Sequence, residues 1–482
     1  MQKITFTSDL DANTALMRSI FEGDDTFIVR KVQGNGGLRC AMFFFDGMVD
    51  SHVINESLVR PVLLSRAARL SADALAVRVL QADDCRVEPD TDKALTAFLY
   101  GDTLVLTEGD ARPLIVNTKG FARRSPDEPE NERVLSGPRE GFTECFMPNL
   151  ALIRRRVRDT RLKFTFLRVG DRTNTSVCLC YLDGLCPEEL VREMQDRLGA
   201  LTLDSVLAAN YIAECLREHR WSPFPTLGTT ERPDVAASRL LEGRCALVVD
   251  GSPVVLTAPH LLQECFQSND DYYISYLQAN VSRVLRALGF FCSVTIPAVY
   301  TALLLYHREL VPARLLFAVT AAQRGVPLPV GWEVLLLLIV LEVLREAGAR
   351  TPGAMGQTMS IVGGLVLGQA AVSARFSAAP TVIVVAVAGV TGLMAPRLQA
   401  AALWLRFLLL GAAAAGGLYG VGLMLSLTTA LLCRMTSCGV PYLVNLVPRV
   451  RADTEDTWLR VPWYRMKYDR FRFFRTAGRD RE

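Results

Sequence analysis

One apolar stretch carries residues whose types and spacing suit chemistry in lipid. Gln357, Ser360, Gly364 and Gly368 stand at i, i+3, i+7 and i+11, so they share one face of a helix. Hydrocarbon gives such a face no partner. Small side chains let two helix backbones approach closely, while the amides of Gln357 and Gln369 are costly in lipid unless they meet protein or water. The stripe therefore has two uses that the spacing leaves open: a tight helix–helix contact, or the wall of a cation path in a ring of subunits.

A second group is charged. Glu333, Glu342, Arg345 and Glu346 lie in or beside an apolar run, where an ionisable side chain marks an ion or proton site or is neutralised by a neighbour. Glu342 and Arg345 are three apart and can pair along a helix. Outside the apolar part, Arg154, Arg155, Arg156 and Arg158 form a basic run. It suits a solvated face, a lipid headgroup or the acids of a neighbouring subunit.

Other chemistries have no foothold. The sequence holds no GxSxG elbow, no Walker A loop and no HExxH, and its four histidines, His52, His219, His260 and His307, are far apart. Its 12 cysteines form no CxxC pair, so they read as reduced, mostly buried small residues rather than metal ligands. No enzyme, metal or cofactor is expected. A net charge of +3 over 482 residues lacks the basic concentration that a nucleic-acid partner requires.

Charge distribution shows which elements must position these residues. Only 13 charged residues lie between Leu288 and Val447, none of them Lys or Asp. That segment suits lipid, and the rest suits water. A helix needs about 20 apolar residues to cross a ~30 Å hydrocarbon core. Five stretches qualify: Ala287 to Tyr306, Val326 to Leu344, Thr351 to Ala374, Phe376 to Pro396 and Phe407 to Cys433. Val311 to Ala322 is apolar but short, an interfacial piece or a sixth crossing. Five crossings put the tail opposite the N-terminal half, whereas its ten basic against six acidic residues from Arg449 to Glu482 favour the cytoplasm.

The N-terminal half contains an internal echo. Cys40 to Met48 is an apolar strand running into Asp46-Gly47, followed by a helical run from Asn55 to Leu64; Val177 to Leu185 repeats it with Asp183-Gly184 and a helix from Pro187 to Leu198. Asp-Gly after a strand is chiefly a turn. A third, Asp250-Gly251, reads as a short hairpin. The expected fold is an α/β cytoplasmic N-terminal region of two related α/β subdomains, 1–135 and 136–220, followed by an α-helical transmembrane bundle at 287–447. Residues 221–286 are expected to form a proline-rich linker, the hairpin and a juxtamembrane amphipathic helix, with Tyr272, Tyr273 and Tyr276 at headgroup level, and 448–482 a basic tail. Asp9, Asp11, Arg18, Asp24 and Asp25 interrupt any apolar core in the first 30 residues, so no cleaved leader is expected.

A run of short motifs points to a family. Gly137-Pro-Arg-Glu-Gly-Phe-Thr-Glu144 and Ala151-Leu-Ile-Arg-Arg-Arg156 are joined by Ser222-Pro-Phe-Pro225, Thr230-Glu-Arg-Pro-Asp234 and Leu241-Glu-Gly-Arg244. Further on come Leu344-Arg-Glu-Ala-Gly348, Gly356-Gln357, Ser360-Ile-Val-Gly363, Gly368-Gln-Ala-Ala-Val372 and Gly439-Val-Pro-Tyr-Leu443. Their order resembles the A subunits of GerA-type spore germinant receptors. The resemblance implies a subunit of a nutrient-responsive complex in the spore inner membrane, a homo-oligomeric, ligand-gated cation channel beside a permease-like B subunit and a lipoprotein C subunit. It makes Arg139, Glu140, Arg154, Arg155, Arg156, Glu231, Arg232 and Asp234 candidates for interface or coupling positions. Thr226, Ser252 and Thr358-Met359 depart from the usual family residues and leave the subfamily open. The stage V sporulation AF branch, an accessory channel, is the alternative, and a non-conducting scaffold a further one.

Overall fold

The computed structural model describes residues 5–120, 132, 134, 136–350, 364, 366–444 and 456–465. The chain divides into two compact units. The first contains residues up to Arg220 and Leu227–His260; the second contains Trp221–Thr226 and the described residues from Leu261 to Arg465.

The first unit is one motif built twice. Copy one runs α1 (Leu10–Ile20), β1 (Phe27–Gln33), β2 (Arg39–Phe45), α2 (residues 51–64, with a π-helical middle), α3 (Ala72–Arg78), β3 (Cys85–Val87), α4 (Thr91–Leu99), β4 (Thr103–Thr107) and β5 (Leu114–Val116). Copy two runs α5 (Phe146–Arg156), β6 (Leu162–Val169), β7 (Thr175–Leu182), α6 (Glu188–Gly199), α7 (Ala209–Leu216), β8 (Gly228–Thr230), α8 (Pro233–Leu241), β9 (Cys245–Val249) and β10 (Val255–Ala258). Each copy forms a five-stranded sheet, in the orders β1-β2-β4-β5-β3 and β6-β7-β9-β10-β8. Every pairing is antiparallel.

Alternation along the strands explains why helices flank copy one's sheet on both sides. Ala41, Phe43 and Phe45 of β2 join Leu10, Met17 and Phe98 in one core, while Cys40 and Met42 join Leu58, Val62 and Leu75 in another. The start of the first helix is fastened identically in both copies. Asn13 accepts from the Thr7 amide at 2.8 Å and donates to its carbonyl at 2.7 Å; Asn149 does the same with Thr143 at 2.8 and 2.6 Å.

The second sheet extends further along the chain than the sequence suggests. The Asp250-Gly251 hairpin, expected beside the membrane, supplies β9 and β10 as inner strands, and β8 forms the sheet edge. Its strands are too short and evenly apolar to reveal a sheet address. The amphipathic stretch from His260 likewise begins as two 3-10 turns, Leu262–Phe266 and Asn269–Tyr272, before the helix starts.

The second unit is helical: α9 (Tyr276–Leu305), α10 (Ala313–Gln323), α11 (Val330–Arg350), α12 (helical residues 366–373), α13 (Ala379–Gly392) and α14 (Gln399–Arg434). Among the described residues, Tyr276–Leu305 and Pro396–Arg434 are long and apolar enough to cross a membrane. The latter, expected to cross once from Phe407 to Cys433, folds back on itself. Gly417 has φ 58° and ψ −141°, a conformation that glycine adopts without a Cβ clash. Beyond it, a Cβ on Gly420 would lie 2.1 Å from the Ala412 carbonyl oxygen, so the two arms run back-to-back.

Candidate functional site

The bundle holds buried charge that lipid alone could not accommodate. Arg406, 2% exposed, donates from Nε to the Ser293 carbonyl at 3.1 Å and from Nη2 to the Ala388 carbonyl at 3.2 Å. Its Nη1 donates to Glu342 at 2.9 Å, and the other Glu342 oxygen pairs with Arg345. Expected self-neutralisation of Glu342 and Arg345 is thus a three-member network. Gly392 leaves room for it, since a Cβ there would lie 2.3 Å from Arg406 Nη2.

Glu333 is 2% exposed. Its Oε1 accepts from the Ser377 hydroxyl at 2.7 Å and the Ala378 amide at 2.6 Å. The carboxylate thus closes the N-terminal end of α13, where helix amides lack internal acceptors. Glu333 Oε2 has no hydrogen-bond partner among the described residues. Glu346, by contrast, pairs with Arg350 at 2.6 Å on the surface.

Gln357 and Ser360 lie outside the described residues. Gly364 and Gln369 are exposed and Gly368 is half-buried. Gly364 and Gly368 border an apolar cavity of about 1050 Å³ whose walls include Leu344, Arg345, Gly348, Val385 and Gly389. Part of the predicted stripe therefore borders a gap beside α11 and α13 of its own bundle, while the exposed Gln369 lies off that stripe.

Another charged cluster fastens the last described residues to the start of α9. Asp271, 1% exposed, accepts from Arg283 at 3.0 Å and Arg286 at 2.5 Å. Arg283 also donates to Asp456 at 2.8 Å, and the Tyr272 hydroxyl donates to the same carboxylate at 2.7 Å. Asn280 accepts from the Arg460 amide at 2.6 Å and donates to its carbonyl at 3.0 Å. The bundle thus ends where it begins. Neither this cluster nor Arg406 stood out in the sequence: Arg406 falls just before a predicted span, and the partners of Asp456 are remote along the chain.

The coupling candidates meet in the first unit. Glu140 accepts from Arg155 at 2.5 Å and Arg156 at 2.6 Å, while Arg139 is exposed. Arg232, fully buried, donates to Asp234 at 2.9 Å and to the Pro138 carbonyl at 2.7 Å. The Glu231 carbonyl accepts from the Phe142 amide at 2.7 Å. Together these bonds hold the 137–143 segment against α8. Arg154 lies between the rings of Phe45 and Phe164, 4.1 and 4.6 Å from their centroids, and pairs with Asp24 of copy one. Burial pulls its guanidinium below the usual range while Asp24 opposes the shift.

A duplicated α/β unit and a helical bundle with two membrane-length apolar helices define a two-part protein. The family model for Bacillus/Clostridium GerA spore germination protein matches residues 15–471, and the chain belongs to that family, whose members here are spore germination protein A subunits. Spore germination protein KA of Bacillus subtilis (strain 168) is 35% identical over 96% of this chain and 86% of its own length. The uncharacterized membrane protein YfkQ of that organism is 36% identical, over 95% of this chain and 90% of its own. Among solved structures, the N-terminal domain of the A subunit of the Bacillus megaterium spore germinant receptor GerK3 is 26% identical with a TM-score of 0.41, covering 54% of this chain and 99% of that one.

Proposed function

We propose that this chain is a multi-pass subunit of a spore germination receptor, which assembles with copies of itself into a cation-conducting channel in the spore inner membrane. The observation that carries this reading is the exposed Gln369 amide on α12. An amide facing hydrocarbon is costly, and a second protein surface or a water-filled path removes that cost. Gln357 and Ser360 share the stripe of Gly364 and Gly368 by helical spacing, and these residues are assigned with Gln369 to the path or to the contact that encloses it.

Six passes account for the bundle: α9, α11, the 351–374 stretch, α13 and the two arms of α14. An even number returns the tail to the starting side, in keeping with the Asp271–Arg283–Asp456 ion pairs. That side is the cytoplasmic one in this reading, where the α/β region also lies. A permease-like B subunit senses the nutrient and a lipoprotein C subunit completes the complex. The nutrient-bound partner opens the channel by contacting the open state more favourably than the closed one, since equal affinity shifts no population. The chain works by binding and conduction, not by chemical conversion.

The test is the current carried by purified full-length protein in planar bilayers, with and without partner subunits. Cation current that Gln357→Leu and Gln369→Leu each reduce supports the reading. Current unaffected by either removes those amides from the path, and no current with every partner present leaves a scaffold.

A further inference from the structure

The internal duplication leaves one contact made once and available twice. Inside the chain, the turn after α1 docks on the edge of β6. The Asp25 amide donates to the Phe164 carbonyl at 2.9 Å, and the Phe166 amide donates to the Asp25 carboxylate at 2.7 Å. Asp24, beside it, pairs with Arg154 of α5. Copy one thus offers a turn, and copy two offers a strand edge and an arginine.

Each part has a counterpart that this contact does not use. The turn after α5 repeats the one after α1: Asp24 accepts from the Thr26 amide at 3.0 Å and from the Phe27 amide at 3.2 Å. Asp159 accepts from the Arg161 amide at 2.9 Å and the Leu162 amide at 3.2 Å. Asp159 therefore matches Asp24, and Thr160 matches Asp25. Both helices have 11 residues, and Arg18 occupies in α1 the position of Arg154 in α5. Val29 and Lys31 of β1 match Phe164 and Phe166 of β6. β1 is the outer strand of its sheet, and Arg18, Arg30 and Lys31 are exposed. An outer strand presents one row of backbone donors and acceptors beyond its sheet.

We propose that the outer edge of β1 receives the 157–161 turn of a second copy of this chain, reproducing between chains the contact already made within one. Thr160 of the neighbour takes the place of Asp25: its amide donates to the Val29 carbonyl, and its hydroxyl accepts from the Lys31 amide. Asp159 of the neighbour pairs with Arg18. Turn and edge are different surfaces, so the contact is head-to-tail and continues from chain to chain, closing as a ring or growing as a filament. It is weaker than its internal twin. Val29 replaces the Phe164 ring, and Asp159 is already held at the surface by Arg161 at 2.8 Å, so its charge pair is exposed to salt.

The proposal rests on the oligomeric reading above and can fail separately from it. The measurement is subunit number of the full-length protein in detergent by native mass spectrometry, at low and high salt, with melting temperature as the control for folding. The wild type is expected to form assemblies larger than dimers that loosen in high salt. Lys31→Pro removes an outward amide on an outer strand, where proline is tolerated, and is expected to weaken assembly about tenfold or more. Arg18→Glu, on an exposed helix face, does the same, and adding Asp159→Arg restores assembly. Wild-type assemblies that both single variants leave intact overturn this contact while the channel reading stands. A monomeric wild type overturns both.

Discussion

Arg154 in the α/β unit and Arg406 in the bundle are both almost fully buried, yet they are accommodated in different ways. Arg154 has a single acid, Asp24, and two phenylalanine faces; its Nε and Nη1 have no hydrogen-bond partner among the described residues. Aromatic faces attract a cation but satisfy no N–H. Arg406 has no such rings among the described residues and instead meets a hydroxyl, two helix carbonyls and an acid shared with Arg345. Where water is absent, polar groups must find protein partners. The first arginine is cement between two copies of one motif; the second ties four helices through redundant bonds.

That difference predicts an order of sensitivities. Asp24→Ala strands the Arg154 cation and should cost about 3–5 kcal/mol, read as a large fall in melting temperature. Replacing both partners, Asp24→Leu with Arg154→Met, should recover most of the loss. Arg406→Met should cost less, roughly 1–3 kcal/mol, because Glu342 keeps Arg345. A loss as large as that of Asp24→Ala would erase the contrast. Gly392→Ala forces a Cβ against Arg406 Nη2 and Ser293 Oγ, at 2.3 and 2.9 Å, and should destabilise the bundle by about 1–3 kcal/mol. Thermal denaturation in detergent measures both.

The smallest effect concerns a surface acid. Hydrogen bonds from Arg112 hold the Asp110 carboxyl down at about 2. A depressed folded-state value contributes stability above the unfolded value of about 3.9 and loses it as pH falls toward the folded one. Asp110→Asn should therefore narrow the stability difference from wild type between about pH 4 and pH 2, as followed by melting across that range. A gap that widens on acidification would contradict the assignment.

The two regions were legible in the sequence to different degrees. The repeated strand and Asp-Gly turn exposed the duplication, because a strand's alternation and its turn residues are local. The full extent of the second copy was not visible: β8 to β10 are short, and their sheet partners lie far along the chain. In the bundle, hydropathy found the apolar segments but missed the reversal at Gly417, since Gly416-Gly417 in an alanine-rich run reads equally as a close helix contact. Arg406 stands just before a predicted span, and only packing against Ser293 and Ala388 places it inside. The Asp271–Asp456 cluster depends on the bundle returning to its start.

That return separates this account from an odd-numbered crossing most directly. In sealed, uniformly oriented vesicles, a membrane-impermeant thiol reagent should label Tyr464→Cys from the same side as the exposed native Cys145, in a background where Cys433 is replaced by serine. Labelling of both from one side is the predicted result. Labelling of the two positions from opposite sides would contradict the closed return of the chain.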